Sequence, residues 1–184
     1  MAELDPVLRA PSSGDVVFHE DEWRQLEFFS QARLEEIQAK LRELNTFEAA
    51  HRVQSGWTQA YVRTLATAPV LSGADAAATL AHAMGSSLGP APILFTGANS
   101  ITGRVRNGFT VPIGHHAWLY GFHDNTGIPV LGATLQNADD QLLTSAFSRL
   151  HRSNRLLLVD WQSQMLLTGV TANGQIEVWS PRQR

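Results

Sequence analysis

Residues 112–127 read PIGHHAWLYGFHDNTG, and the side chains of His115, His116, His123 and Asp124 are of the kinds that hold zinc, iron or manganese. Their spacing argues against a metal. On a strand over 115–123, His115 and His116 point to opposite faces. His115 and His123 share a face, but about eight residues at ~3.3 Å each set them roughly 26 Å apart. One ion held at ~2 Å cannot reach both. His123 and Asp124 read instead as turn residues leading into Asn125 and Gly127. The segment is expected to be a hairpin, with no metal and no cofactor.

Asp160 is the next candidate. It stands between Val159 and Trp161 in an otherwise apolar run, where an unpaired buried carboxylate would be costly. It is either a catalytic acid or arginine anchor, or a strand-end residue bonded to the turn that starts at Gln162. The second reading is preferred because the loop begins there.

A third group is polar and aromatic. Arg104 and Arg106 share one strand face, while His116, Trp118, Tyr120 and Phe122 share another. Arginine and aromatic residues concentrate binding energy at interfaces. The plainer alternative makes Trp118 and Phe122 core, with the arginines in solvent. An enzyme built from these parts would use Asp160, His116 (or His115) and Arg104 as acid, base and anion clamp on a small-molecule substrate. It requires three separate strands to converge.

Known catalytic motifs are missing. TGANSITGRVRNG lacks the Gly-Lys-Ser/Thr ending of a phosphate loop. There is no G-x-S-x-G elbow and no H-E-x-x-H. The chain has no cysteine, which removes disulfides and thiol chemistry and fits a reducing cytoplasm. Its net charge is −3 and Lys40 is its one lysine, so no basic face is expected to attract nucleic acid. No stretch approaches ~20 apolar residues, and the N-terminus is unlike a signal peptide, so no membrane association is expected.

These observations favour a non-enzymatic, cytoplasmic protein-binding module, such as an immunity protein or adaptor that neutralises or carries a protein partner. The surfaces expected to carry binding are Glu20, Asp21 and Glu22, then Arg104 and Arg106, then Trp118 and Tyr120.

The elements that position these residues follow from patterning. With 184 residues, 43% hydrophobic and 17% charged, the chain can form one packed domain. Residues 1–14 form a proline- and serine-rich lead-in that can be mobile, and 15–184 a single α+β domain. Val16 to His19 and Trp23 to Phe29 suggest a hairpin with the acidic residues at its tip, preferred over a helix starting near Asp21 on which Trp23 and Leu26 would share a face. SQARLEEIQAKLREL is helical, with Leu34, Ile37, Leu41 and Leu44 on one face, Ser30 as N-cap, and Glu36 paired with Lys40. Residues 47–66 then read as two extended pieces around Ser55-Gly56, with Trp57, Tyr61 and Val62 in the second. Ser72 opens a helix that places Leu80, Met84 and Leu88 together. Strands then dominate, with turns at Asn107-Gly108 and Asn173-Gly174 and a helix through ADDQLLTSAFSRLHR. The expected fold is a mainly antiparallel, twisted sheet built from hairpins, with about three helices packed on one face.

Overall fold

A computed structural model describes residues 3–54, 56–97 and 100–182. In chain order the elements are β1 (Leu4–Asp5), β2 (Val17–His19), β3 (Leu26–Ser30), α1 (Leu34–His51), β4 (Arg52–Val53), β5 (Gly56–Trp57), β6 (Leu71–Ser72), α2 (Ala76–Ala83) and β7 (Ile93–Thr96). They continue with β8 (Ser100–Val105), β9 (Gly108–Gly114), β10 (Ala117–Phe122), β11 (Gly127–Ile128), β12 (Val130–Leu135), α3 (Asp140–Asn154), β13 (Leu156–Asp160), β14 (Met165–Val170) and β15 (Ile176–Trp179). Seven strands form one antiparallel sheet in the order β15-β14-β13-β3-β12-β10-β9. Pro112, which has no N–H to donate, falls on the edge strand β9. Four more strands make a smaller sheet, β1-β8-β7-β2, in which β2 and β7 run parallel. The fold is α+β, as the patterning indicated.

The helices lie on both faces of the large sheet, which corrects the expectation of one covered face. Phe28, Leu156 and Leu158 pack with Leu80 of α2 and Phe147 and Leu150 of α3. Their immediate neighbours Phe29, Leu157 and Val159 pack with Ile37, Leu41 and Leu44 of α1. Successive strand residues point to opposite faces, so the runs LEFF and LLLV demand a cover on each side. On the α1 side the rest of the large sheet is covered by the small one. There Val16, Phe18, Leu94 and Val105 pack on Tyr120, with Trp118 and Phe122 alongside.

Several local expectations change with this arrangement. Residues 15–29 are not a hairpin: β2 joins the small sheet and β3 the large one, with a 3-10 turn over Glu20–Glu22 between them. Asn107 has the positive φ (51°) its turn signal implies, but the turn carries the chain from β8 in one sheet to β9 in the other. Helix α1 begins after a 3-10 turn in which the Ser30 hydroxyl accepts from the Ala32 N–H. It runs on to His51, where extended chain was expected. Glu36 pairs with Arg33 at 2.8 Å and Lys40 with Glu43 at 2.7 Å, in place of a Glu36–Lys40 pair. Ser72 lies in β6, Asp75 stands at the start of α2, and Leu88 is exposed beyond its end. Helix α3 starts where its aspartates indicated, with Asp139 accepting from the Gln141 N–H. Among the described residues, no helix is long and apolar enough to cross a membrane.

Candidate functional site

The residues singled out by sequence are mostly engaged in holding their own surroundings. Glu20 accepts a hydrogen bond from Thr96, and Glu22 accepts one from Thr134 at 3.0 Å. Asp21 lies 3.3 Å from the His19 ring nitrogen and keeps 82% of its side chain exposed. Arg104 bonds Asp15 at 2.7 Å and the Ala91 carbonyl at 2.9 Å. Arg106 pairs with Glu3 and Asp5 and so ties down the segment that contains β1. Trp118 is half-buried against the small sheet, and Tyr120 is fully buried, out of reach of any partner.

The three residues of the enzymatic alternative do not meet. Asp160 caps its own turn, accepting from the N–H groups of Gln162 and Ser163 and from the Ser163 hydroxyl. This is the structural role expected of it. Register places Asp160 opposite Leu26, Leu26 opposite Ala133, and Ala133 opposite Leu119. Three strand spacings of ~4.8 Å put Asp160 roughly 14 Å from the backbone of Leu119. His116 lies further along, in the β9–β10 turn with φ 59°, and Arg104 belongs to the other sheet. His115 and His116 are turn residues, which corrects the strand expected over 115–123. The Asp124 carboxylate accepts from the N–H groups of Thr126 and Gly127, the turn role foreseen for it. Among the described residues, no three histidine, aspartate or glutamate side chains group as metal ligands.

A different site emerges at the seam between α1 and the small sheet. Val159, Glu27, Gly132 and Tyr120 are opposite one another on adjacent strands, so their positions share one face. A Cβ on Gly132 would fall 2.6 Å from the Tyr120 ring, so glycine is what lets that ring lie across β12. The Tyr120 hydroxyl accepts from the Arg24 N–H at 2.7 Å and donates to the Glu22 carbonyl at 3.1 Å. It thereby holds Arg24 at φ 64°, a costly conformation for a side chain-bearing residue.

Beneath this turn Glu27 is only 1% exposed. The Arg24 guanidinium meets it at 2.7 Å, the Trp161 indole N–H at 3.3 Å, and Arg63 at 3.4 Å. Burial pushes the Glu27 carboxyl up, and the charges of Arg24 and Arg63 oppose that shift. Arg63 in turn stacks on the Trp161 ring at 4.1 Å. Over the cluster opens a cleft of about 390 Å³ lined by Arg24, Arg33 and Arg63 together with Trp23, Phe122 and Val130. Titratable groups perturbed by burial beside a cleft mark candidate functional sites. The signal for Glu27 was present in the sequence: it interrupts the apolar run LEFF just as Asp160 interrupts LLLVDW. Nothing local pointed to Arg63, which lies 36 residues away.

A second cavity, of about 430 Å³, lies against the C-terminal part of α1 and is lined by Leu44, Phe47, Trp57 and Tyr61. Trp57 is 52% exposed at its mouth, with exposed Val53 and Val62 nearby in sequence. The irregular segment 58–69 supplies walls to both cavities. It is held by Arg63 on Glu27 and by the Ala66 N–H on Glu36 at 3.0 Å. No protein-family model matches this chain, and no curated protein or solved structure matches it either.

Proposed function

We propose that this chain is a non-catalytic protein-binding module that neutralises or carries a protein partner, in the manner of an immunity protein or adaptor. The observation that carries this reading is the apolar surface around Trp57. A large aromatic side chain stands half in water at the mouth of an apolar cavity whose other walls include Leu44 and Phe47. Exposed apolar surface around a pocket is where a partner inserts an anchor side chain. Asp21 and Arg106 are exposed charges, and exposed charges mainly tune association rate and its salt dependence. In contrast, Asp160, Arg104 and His116 offer no common point at which a substrate could be held.

The test is affinity capture from the native host with the wild-type chain and with Trp57→Asp. The wild type is expected to retain one protein at equal stoichiometry. Trp57→Asp should keep its melting temperature and weaken binding about 30-fold or more, as loss of a hot-spot aromatic does. Equal capture by the variant moves the interface elsewhere. Capture of nothing, together with turnover in a broad substrate screen, sinks the reading in favour of an enzyme.

A further inference from the structure

We propose that the seam cleft is a binding site for a small organic carboxylate, separate from the protein-binding surface and independent of that reading. Its acid group would lie against the guanidinium groups of Arg24, Arg33 and Arg63, and its apolar body against Trp23, Phe122 and Val130.

Charge comes first. Three arginines line the cleft, whereas Glu27 and Glu36, whose carboxylates partner them, are not among its lining residues. Three positive charges against two negative ones leave an excess of one, and the cleft surface presents only the positive side. A ligand of one negative charge balances the set, which is why an acid is inferred and not a neutral or cationic compound.

Donor geometry points the same way. Arg24 commits Nε and Nη2 to Glu27, Arg33 commits Nε and Nη2 to Glu36, and Arg63 commits Nη2 to Glu27 and the Arg24 carbonyl. Nη1 of Arg24, Nη1 of Arg33, and Nε and Nη1 of Arg63 have no hydrogen-bond partner among the described residues. Each of these nitrogens can give a ligand carboxylate one charge-assisted hydrogen bond. The exposed Thr64 and Thr67 bring hydroxyls to the same wall.

The arginines are also pre-positioned. Arg33 stacks on Phe29 at 4.9 Å, Arg63 stacks on Trp161, and Arg24 is fixed through its backbone by Tyr120. Ordering three flexible side chains before a ligand arrives removes much of the entropy cost of binding. At about 390 Å³ the cleft falls within the size range of small-molecule pockets. Its apolar wall distinguishes an organic acid from a bare inorganic anion.

Calorimetric titration with 3-phenylpropionate tests the site, with 3-phenylpropionamide and inorganic phosphate as comparison probes. Saturable one-to-one binding of 3-phenylpropionate is expected, at least about tenfold tighter than either comparison probe, because the neutral amide lacks the charge-assisted bonds. Arg63→Met alone would strand the buried Glu27, so it is combined with Glu27→Gln. A second variant, Thr67→Glu, alters only an exposed position and supplies a competing carboxylate from the rim. Both should weaken 3-phenylpropionate about tenfold or more while the far-ultraviolet circular dichroism of the wild type is retained. Absence of saturable binding by the wild type overturns the proposal. So does equal affinity for the amide or for phosphate, or unchanged affinity in Thr67→Glu and the double variant.

Discussion

Glu27 and Gln164 show two ways a polar side chain can sit in this core. Glu27 is bonded by Arg24, Arg63 and Trp161, so directed bonds offset part of the cost of its burial. Gln164, in the β13–β14 turn at φ 56°, is fully buried, and neither its amide nitrogen nor its amide oxygen has a hydrogen-bond partner among the described residues. An unpaired buried polar group costs the desolvation it never recovers, and an apolar group of the same shape avoids that cost. Gln164→Met keeps the length and leaves the backbone conformation as it is. It is expected to raise the urea unfolding free energy by about 1–3 kcal/mol. A loss of stability would show that the carboxamide makes a bond that its position conceals.

At the scale of elements, α1 is the informative case. Its stripe of Ile37, Leu41 and Leu44 faces Phe29, Leu157, Val159 and Leu166 of the large sheet, so it is core and not a seam for a partner helix. Ile37 is fully buried, and truncating it leaves a cavity lined by side chains from β3 and β13 that cannot all collapse into it. Ile37→Ala should therefore cost about 2–5 kcal/mol in urea denaturation. Stability equal to wild type would place that side chain outside the core. The far end of the same helix has the opposite character, since Phe47 borders the open cavity near Trp57. One element thus anchors the sheet at its start and helps shape a recognition surface at its end.

At the scale of the whole molecule, two sheets must be held together, and charged residues contribute to how the small one is closed. Asp15 receives the Ser12 backbone N–H at 2.8 Å and the Arg104 guanidinium at 2.7 Å, and these bonds hold its carboxyl well below the ordinary 3.8. A carboxyl whose pKa is depressed by folding stabilises fully above the unfolded value and loses that contribution as pH falls through the folded value. Glu36, lowered to about 2 chiefly by its bond to Arg33, acts in the same sense. Glu27 has the opposite sign: its carboxyl is raised, so its contribution falls as pH rises above 4.5. The melting temperature is expected to drop as pH is lowered below ~4. Asp15→Asn should lower it at neutral pH and flatten part of that acid limb. A melting temperature in Asp15→Asn that tracks wild type at every pH would show that the Asp15–Arg104 pair contributes nothing to folding.

Features that depend on neighbours within a few residues are legible in the residues alone. The Asn173-Gly174 signal forms the β14–β15 turn, with φ 85° at Gly174, the aspartates start α3, and Asp160 caps the turn that follows it. Turn dihedrals, helix periodicity and caps are set by local sterics and hydrogen bonds, so local residues report them. Which sheet a strand joins was decided only by tertiary structure. The turn at Asn107 looked like a hairpin but separates β8 from β9, and the 3-10 turn at Glu20–Glu22 separates β2 from β3. The same holds for the seam. Glu27, Arg63 and Trp161 come from three segments, and Arg24, Arg33 and Arg63 line one cleft because β3, α1 and the segment 58–69 meet there. Burial of both faces of β3 forced that meeting, and the energy of such packing depends on residues far apart along the chain, beyond what a local pattern encodes.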